Sequence, residues 1–280
     1  MERSFIGEDV IEGQKNPSGD KAPKVVVWDT EVSPAIVAGY GNKWDFRYVK
    51  EIEPQKLMCY AYKYLGEESV KFVSMHDFES QVELVQSLAD LLNEVDISIA
   101  HNGLNFDDKM ANTFFITNGV DRPSPRKSID TLRVARRQFR FPSNSLDDLG
   151  EYLGIGGKAE TTYGSIWEDF ISGDAEAGRL MQVYNERDVE LLEQIYLKFL
   201  PYIDNHPNMG VYMQKPGVCA HCGRDDALIR RGEAERVNGP VVQWYCKPKK
   251  GGCGTWSYER YVQKENSLPK EDRSSLVSGR

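Results

Sequence analysis

Four carboxylates fall into three separated stretches of this chain. Asp29 and Glu31 close KVVVWDTEV, Asp107 sits in IAHNGLNFDDKM, and Asp188 sits in VYNERDVELLEQIY. A chain with 43 Asp and Glu makes any one acid uninformative, so order and local setting must carry the argument. Asp29 and Glu31 follow the apolar run Val25-Val26-Val27-Trp28, which reads as a buried strand. At i and i+2 on a strand both side chains leave the same face. Two carboxylates so placed repel each other and lose solvation. A divalent cation removes that cost, and carboxylate oxygen suits Mg²⁺ or Mn²⁺.

The third stretch has helical spacing. Leu180, Val183, Leu191, Ile195 and Leu197 predict a long amphipathic helix, with Leu192 and Phe199 widening its apolar face. Tyr184 and Asp188 stand on it at i and i+4, one turn apart on one side. A phenol one turn from a metal-binding carboxylate can hold a water in line with a phosphorus. Asp107 opens a helical stretch near 106–117, after the apolar strand signal Ile97-Ser98-Ile99-Ala100. Strand ends and helix starts are where ligand sites gather in α/β sheets.

D-x-E, then N-x-x-x-F-D, then Y-x-x-x-D, over residues 24–200, resembles the DEDD superfamily of 3′→5′ exonucleases in its tyrosine subtype. The likeness extends to the proofreading domain of family B DNA polymerases and to stand-alone bacterial and phage relatives. The resemblance implies a ribonuclease H-like fold and two Mg²⁺ or Mn²⁺ ions held by Asp29, Glu31, Asp107 and Asp188. It implies that Asp29 bridges the pair, that Glu31 and Asp188 hold the ion carrying the attacking water, and that Asp107 completes the second ion's surroundings. It also implies that Tyr184 orients that water, that Asn102 and Phe106 touch the terminal nucleotide, and that Lys158 contacts phosphate. Two ions about 3.5–4 Å apart can activate the water, relieve charge on the phosphate and stabilise the leaving oxygen.

Each residue also has a purely structural reading. Asp29 and Glu31 can be turn residues after a strand, Tyr184 a half-buried helix residue, Asp188 a solvated charge, and Asn102-Gly103 a simple turn. Arg133, Arg136, Arg137 and Arg140, with Phe139 and Phe141 between them, would suit a single strand; they equally fit a helix with one charged face and its aromatics in the core. Ser145 reads as a helix start, with Gly154 near that helix's end. The four histidines show no paired ligand spacing, and His101 reads as a packing residue.

A different kind of sequence follows the long helix. Cys219-Ala220-His221-Cys222-Gly223 is followed by Cys246 and Cys253, so four of the five cysteines fall within 35 residues. Cys59 lies apart, in an apolar strand-like run, and reads as core. The two knuckles, joined by a strand-like segment from Arg236 to Tyr245, resemble a zinc ribbon, with C-x₆-C longer than the usual second knuckle. A Cys₄-bound Zn²⁺ supplies folding energy that so small a core lacks. Residues 1–214 carry 22 Lys and Arg against 35 Asp and Glu, while 215–280 carry 13 against 8. An acidic body therefore precedes a basic module, which is expected to grip a polynucleotide backbone or else to contact a protein.

The expected architecture is α/β: a ribonuclease H-like mixed sheet flanked by helices at 23–205 and a small zinc-ribbon-like β module at 206–261. Polar tails at 1–22 and 262–280 are expected to be disordered. Strand signals lie near 24–30, 35–39, 57–64, 69–74, 97–101 and 127–131, and a helix near 78–94 buries Val85, Leu88, Leu91, Leu92 and Val95. No apolar run approaches the ~20 residues of a membrane span. The expected function is metal-dependent 3′→5′ exonuclease action on single-stranded DNA, in the cytoplasm (a host's, if the gene is viral), with replication or recombination proteins as partners. RNA as substrate, or a nucleic-acid-binding adaptor with a vestigial site, are the alternatives.

Overall fold

Alternation along one strand sorts the chain into layers. In the computed structural model, which describes residues 22–42, 44–157, 166–237 and 239–260, β1 (Val25–Val32) is the central strand of a five-stranded sheet. The sheet runs β5-β4-β1-β6-β7, with β4 at Leu57–Tyr64, β5 at Lys71–Ser74, β6 at Ile97–Ala100 and β7 at Lys127–Asp130. β1 pairs antiparallel with β4 and parallel with β6, and β6 pairs parallel with β7. This is the mixed sheet flanked by helices expected from the sequence.

Val26 and Trp28 point to one layer, packing with Leu84, Val85, Leu88 and Leu92 of α1 (Gln81–Asn93) and Phe114 and Phe115 of α2 (Asp107–Asn118). Val25 and Val27 point to the other. They join Val189, Leu192, Ile195 and Phe199 of the long helix α6 (Ala175–Phe199), with Val134 and Ala135 of α3 (Thr131–Gln138) and Leu149 of α4 (Leu146–Tyr152). A short helix, α5 (Ile166–Ser172), packs beside α6. Side-chain oxygens close the exposed N-termini: Ser80 accepts from the Glu83 amide, Ser145 from Asp148, and Asp174 from Glu176 and Ala177. Lys63 and Glu193 form a buried ion pair at 2.6 Å between β4 and α6.

Three features differ from the expectations. Leu180 and Val183 of α6 are exposed, because the buried stripe runs instead through Ala177, Met181, Tyr184 and Asp188. Leu191, Leu192, Ile195 and Phe199 are buried as expected, so the expected stripe departs from the observed one only in the N-terminal half of the helix. A hairpin of β2 (Ile36–Tyr40) and β3 (Arg47–Glu53) forms its own two-stranded sheet, and every residue of β3 is exposed. β2 falls where a strand signal lay near 35–39; β3, without a buried face, gave none. The segment between the cysteine knuckles is two strands, not one: β8 (Leu228–Arg236) and β9 (Gly239–Cys246), joined by β10 (Trp256–Arg260) in the order β10-β9-β8. The expected tails at 1–22 and 262–280 lie, but for residue 22, outside the described residues.

The cysteine module is seated on the main core. Met209 of α7 (Met209–Tyr212) and Met213 belong to the same cluster as Phe199 and Leu200, and Cys222 and Cys253 pack against it. His206 accepts from or donates to the Tyr196 hydroxyl at 2.9 Å and stacks on His221 at 4.7 Å. No helix among the described residues is long and apolar enough to cross a membrane.

Candidate metal-centred active site

The alternation that buries Val25 and Val27 against α6 continues to the end of β1, so Asp29 and Glu31 leave the sheet on the α6 side. α6 answers with Tyr184 and Asp188, which are 7% and 2% exposed. One oxygen each from Asp29, Glu31 and Asp188 lie within 4.8 Å of one another. Asn185, fully buried on the same helix, donates its side-chain amide to Asp29 Oδ2 at 2.8 Å. The Tyr184 ring meets Trp167 edge-on, 6.4 Å between centroids. Beneath them Cys59 pairs across the sheet with Glu31; burial, then the charges of Glu31 and Asp29, push its thiol well up.

Asp107 reaches the site from the opposite layer. It is the first residue of α2, 2% exposed, and its Oδ1 accepts from the Thr30 amide at 3.2 Å and the Thr30 hydroxyl at 2.6 Å. Thr30 lies between Asp29 and Glu31 and points the other way, so Asp107 stands outside the group of three carboxylates. Burial pushes its carboxyl up to about 6, against the lowering effect of the Thr30 hydrogen bonds.

The N-x-x-x-F-D loop between β6 and α2 is built on a turn. Asn102 adopts φ 66, its carbonyl accepts from the amides of Asn105 and Phe106, and its own amide donates to Asp130 Oδ1. A Cβ on Gly103 would stand 2.5 Å from that of Ala100, so glycine is required there. Phe106 is 39% exposed at the start of α2. His101 bridges Thr131 Oγ1 and the Asn144 carbonyl, the packing role expected of it. Arg133, Arg136 and Arg137 are exposed on α3, while Phe139 and Phe141 stack on Phe199 and are committed to the core. Lys158 lies outside the described residues.

Sequence reasoning missed Asn185. A buried amide three residues before a buried aspartate, on an otherwise apolar stripe, was the available signal.

A family model described as the RNase_H superfamily matches residues 53–200, more than half of the chain. The chain belongs to the ribonuclease H superfamily. The ribonuclease H match covers Asp107, Tyr184 and Asp188 and begins after β1, so Asp29 and Glu31 rest on the geometry above. Membership points to nuclease-type chemistry. No curated protein matches the chain in sequence.

The second cluster is made of sulfur. Sγ atoms of Cys219, Cys222, Cys246 and Cys253 all lie within 4.8 Å of one another. Cys219–Cys253 and Cys222–Cys246 are each 3.6 Å apart, far beyond a disulfide bond of about 2.05 Å. Zn–S bonds of about 2.3 Å in a tetrahedron put sulfurs about 3.8 Å apart, so the donor set fits a tetrahedral ion of zinc's preference. Amides fold the second knuckle around it: Gly252 donates to the Lys247 carbonyl, Gly254 to that of Cys246, and Cys253 to Cys246 Sγ at 3.4 Å.

Proposed function

We propose that this protein is a metal-dependent 3′→5′ exonuclease acting on single-stranded DNA. The observation that carries the reading is the convergence of Asp29 and Glu31 from a strand end with Asp188 from a helix, their oxygens within 4.8 Å. Three anionic oxygens so close, two of them on one strand face, suit a hard divalent cation better than any arrangement of protein donors. Magnesium or manganese bound there supplies Lewis-acid charge relief to the phosphate and a water of lowered pKa. The chain's own residues do the rest. Asn185 fixes the rotamer of Asp29, and Asp107 lends negative charge from the opposite layer. Tyr184, buried one turn before Asp188 on α6, would orient that water. The four cysteines hold one structural Zn²⁺.

The test is a time course with 5′-labelled oligonucleotides of matched DNA and RNA sequence, in Mg²⁺ or Mn²⁺. A stepwise ladder on DNA, blocked by a 3′ cap and absent with Asp188→Asn, is expected. A ladder on RNA alone would reassign the sugar; rapid cutting of a circular strand would replace exonuclease with endonuclease. Tyr184→Phe is expected to lose roughly 10–100-fold, the scale of groups that orient without binding the metal.

A further inference from the structure

The small sheet of the cysteine module separates its charges by face. Cross-strand partners share a face, so pairing assigns each side chain. Tyr245 pairs with both Ile229 and Trp256, and Gln243 pairs with Tyr258. Ala234 and Arg236 pair with Val241 and Gly239 in the same column of β9. One face therefore carries Tyr245, Trp256, Tyr258 and Arg236. Arg231, the extra residue where the β8 register shifts, turns its guanidinium over the Tyr245 ring at 5.9 Å. The other face carries Trp244, whose indole donates to Glu259, and all three carboxylates of the strands: Glu233, Glu235 and Glu259.

The acid-free face is also open. Trp256 and Tyr258 are 45% and 46% exposed, and Arg231 and Arg236 are exposed. Tyr245 and Trp256 rings lie 4.9 Å apart, and the Arg236 guanidinium sits 3.8 Å over Tyr258. Rings held in place by neighbouring rings and guanidinium groups lose little entropy on meeting a ligand, and each offers a π surface. Elsewhere in the module, Lys215, Arg224 and Arg230 are paired with Asp225, Asp226 and Glu233.

We propose that this face is a platform for single-stranded nucleic acid, with bases stacked on Tyr245, Trp256 and Tyr258 and phosphates met by Arg231 and Arg236. A flat aromatic surface beside fixed cations, with every strand carboxylate turned away, matches the alternating π and phosphate chemistry of a single strand. The proposal rests on the nuclease reading for its choice of ligand, and it places substrate grip outside the acidic body. The arginine-rich helix α3 has its neighbouring aromatics, Phe139 and Phe141, only partly exposed and stacked on Phe199.

The experiment uses full-length protein carrying Asp188→Asn, so that strands are bound and not cut. A fluorescein-labelled oligo(dT) 20-mer is titrated by anisotropy over a range of salt. The double variant Arg231→Gln/Arg236→Gln is expected to bind about tenfold or more weakly, with the slope of log K against log salt reduced by about 1.4, two single-strand phosphate contacts' worth. Trp256→Ala is expected to weaken binding roughly 5- to 100-fold with the slope unchanged, as lost stacking should. Zinc content and melting temperature equal to the parent's show that each variant is folded. Unchanged affinity and slope in the folded double-arginine variant overturn the proposal. So does a concentration-dependent dimer that the double variant abolishes while strand affinity stays, since a second copy would then be the occupant. Parent protein that binds strands through these residues while the wild type cuts none would remove the nuclease reading and leave the platform standing.

Discussion

Asn185 donates a 2.8 Å hydrogen bond to the Asp29 carboxylate, tying the middle of α6 to the end of β1. Its partner thus gains a fixed rotamer and one satisfied oxygen in a site crowded with negative charge. Asn185→Ala should cut single-turnover hydrolysis about 10–100-fold at saturating Mn²⁺. Melting temperature should change little by comparison with the rate. An unchanged rate would show that Asp29 is positioned by the sheet alone.

Three converging carboxylates repel until a cation binds, so the ion should stabilise the fold. At a hundred times its dissociation constant the gain is about 2.7 kcal/mol. Thermal unfolding with and without Mn²⁺ should show a clear rise for the wild type. Asp188→Asn should melt higher than wild type without the ion and respond to it far less. Equal responses in both proteins would place the ion elsewhere.

Asp107 makes metal-free stability depend on pH. Burial raises its folded pKa to about 6 from the usual 3.8, so the protonated form favours folding. That contribution is complete below the unfolded value and is lost as pH rises through 6. Asp107→Asn keeps an acceptor for Thr30 without the charge. With no Mg²⁺ or Mn²⁺ added, it should exceed wild-type stability by about 3 kcal/mol at pH 8 and match it near pH 3.5. Urea titrations at the two pH values check this, and parallel curves would refute it.

The Lys63–Glu193 pair, with side chains only 10% and 5% exposed, fixes β4 to α6 behind the site. Glu193→Gln leaves a buried ammonium without its counter-charge and should cost about 3–5 kcal/mol in urea unfolding. Lys63→Met/Glu193→Leu should recover most of that. Equal losses in single and double variants would mean that packing, and not the stranded charge, sets the cost.

The cysteine cluster abuts the end of α6 through His206, His221 and Tyr196. Removing its ion should therefore unsettle more than the module. Cys246→Ser is expected to lower zinc content well below one per chain and to lower the melting temperature of the whole protein. A normal melting curve with no zinc would make the cluster dispensable.

Local spacing was enough to read several things. Val25 to Glu31 alternate as a strand must, Tyr184 and Asp188 fall one helical turn apart, and Cys219, Cys222, Cys246 and Cys253 pair off along the chain. The first two depend on periods of two or about 3.6 residues and the third on short ligand spacings, all of which a sequence displays before it folds. The exposed strand β3, with no buried side to give it a period, could not be read this way. Nor could the exposure of Leu180 and Val183, because which stripe of α6 is buried depends on where that helix meets the sheet.

The resemblance already implied that Asp188 meets Asp29 and Glu31; their spacing within 4.8 Å, the reach of Asn185 across 156 residues of sequence, and the approach of Asp107 from the other layer were decided by the tertiary structure. Strand order and helix packing set those distances. Neither is written in any single stretch of sequence, since each is the outcome of burying two opposite faces of one sheet at once.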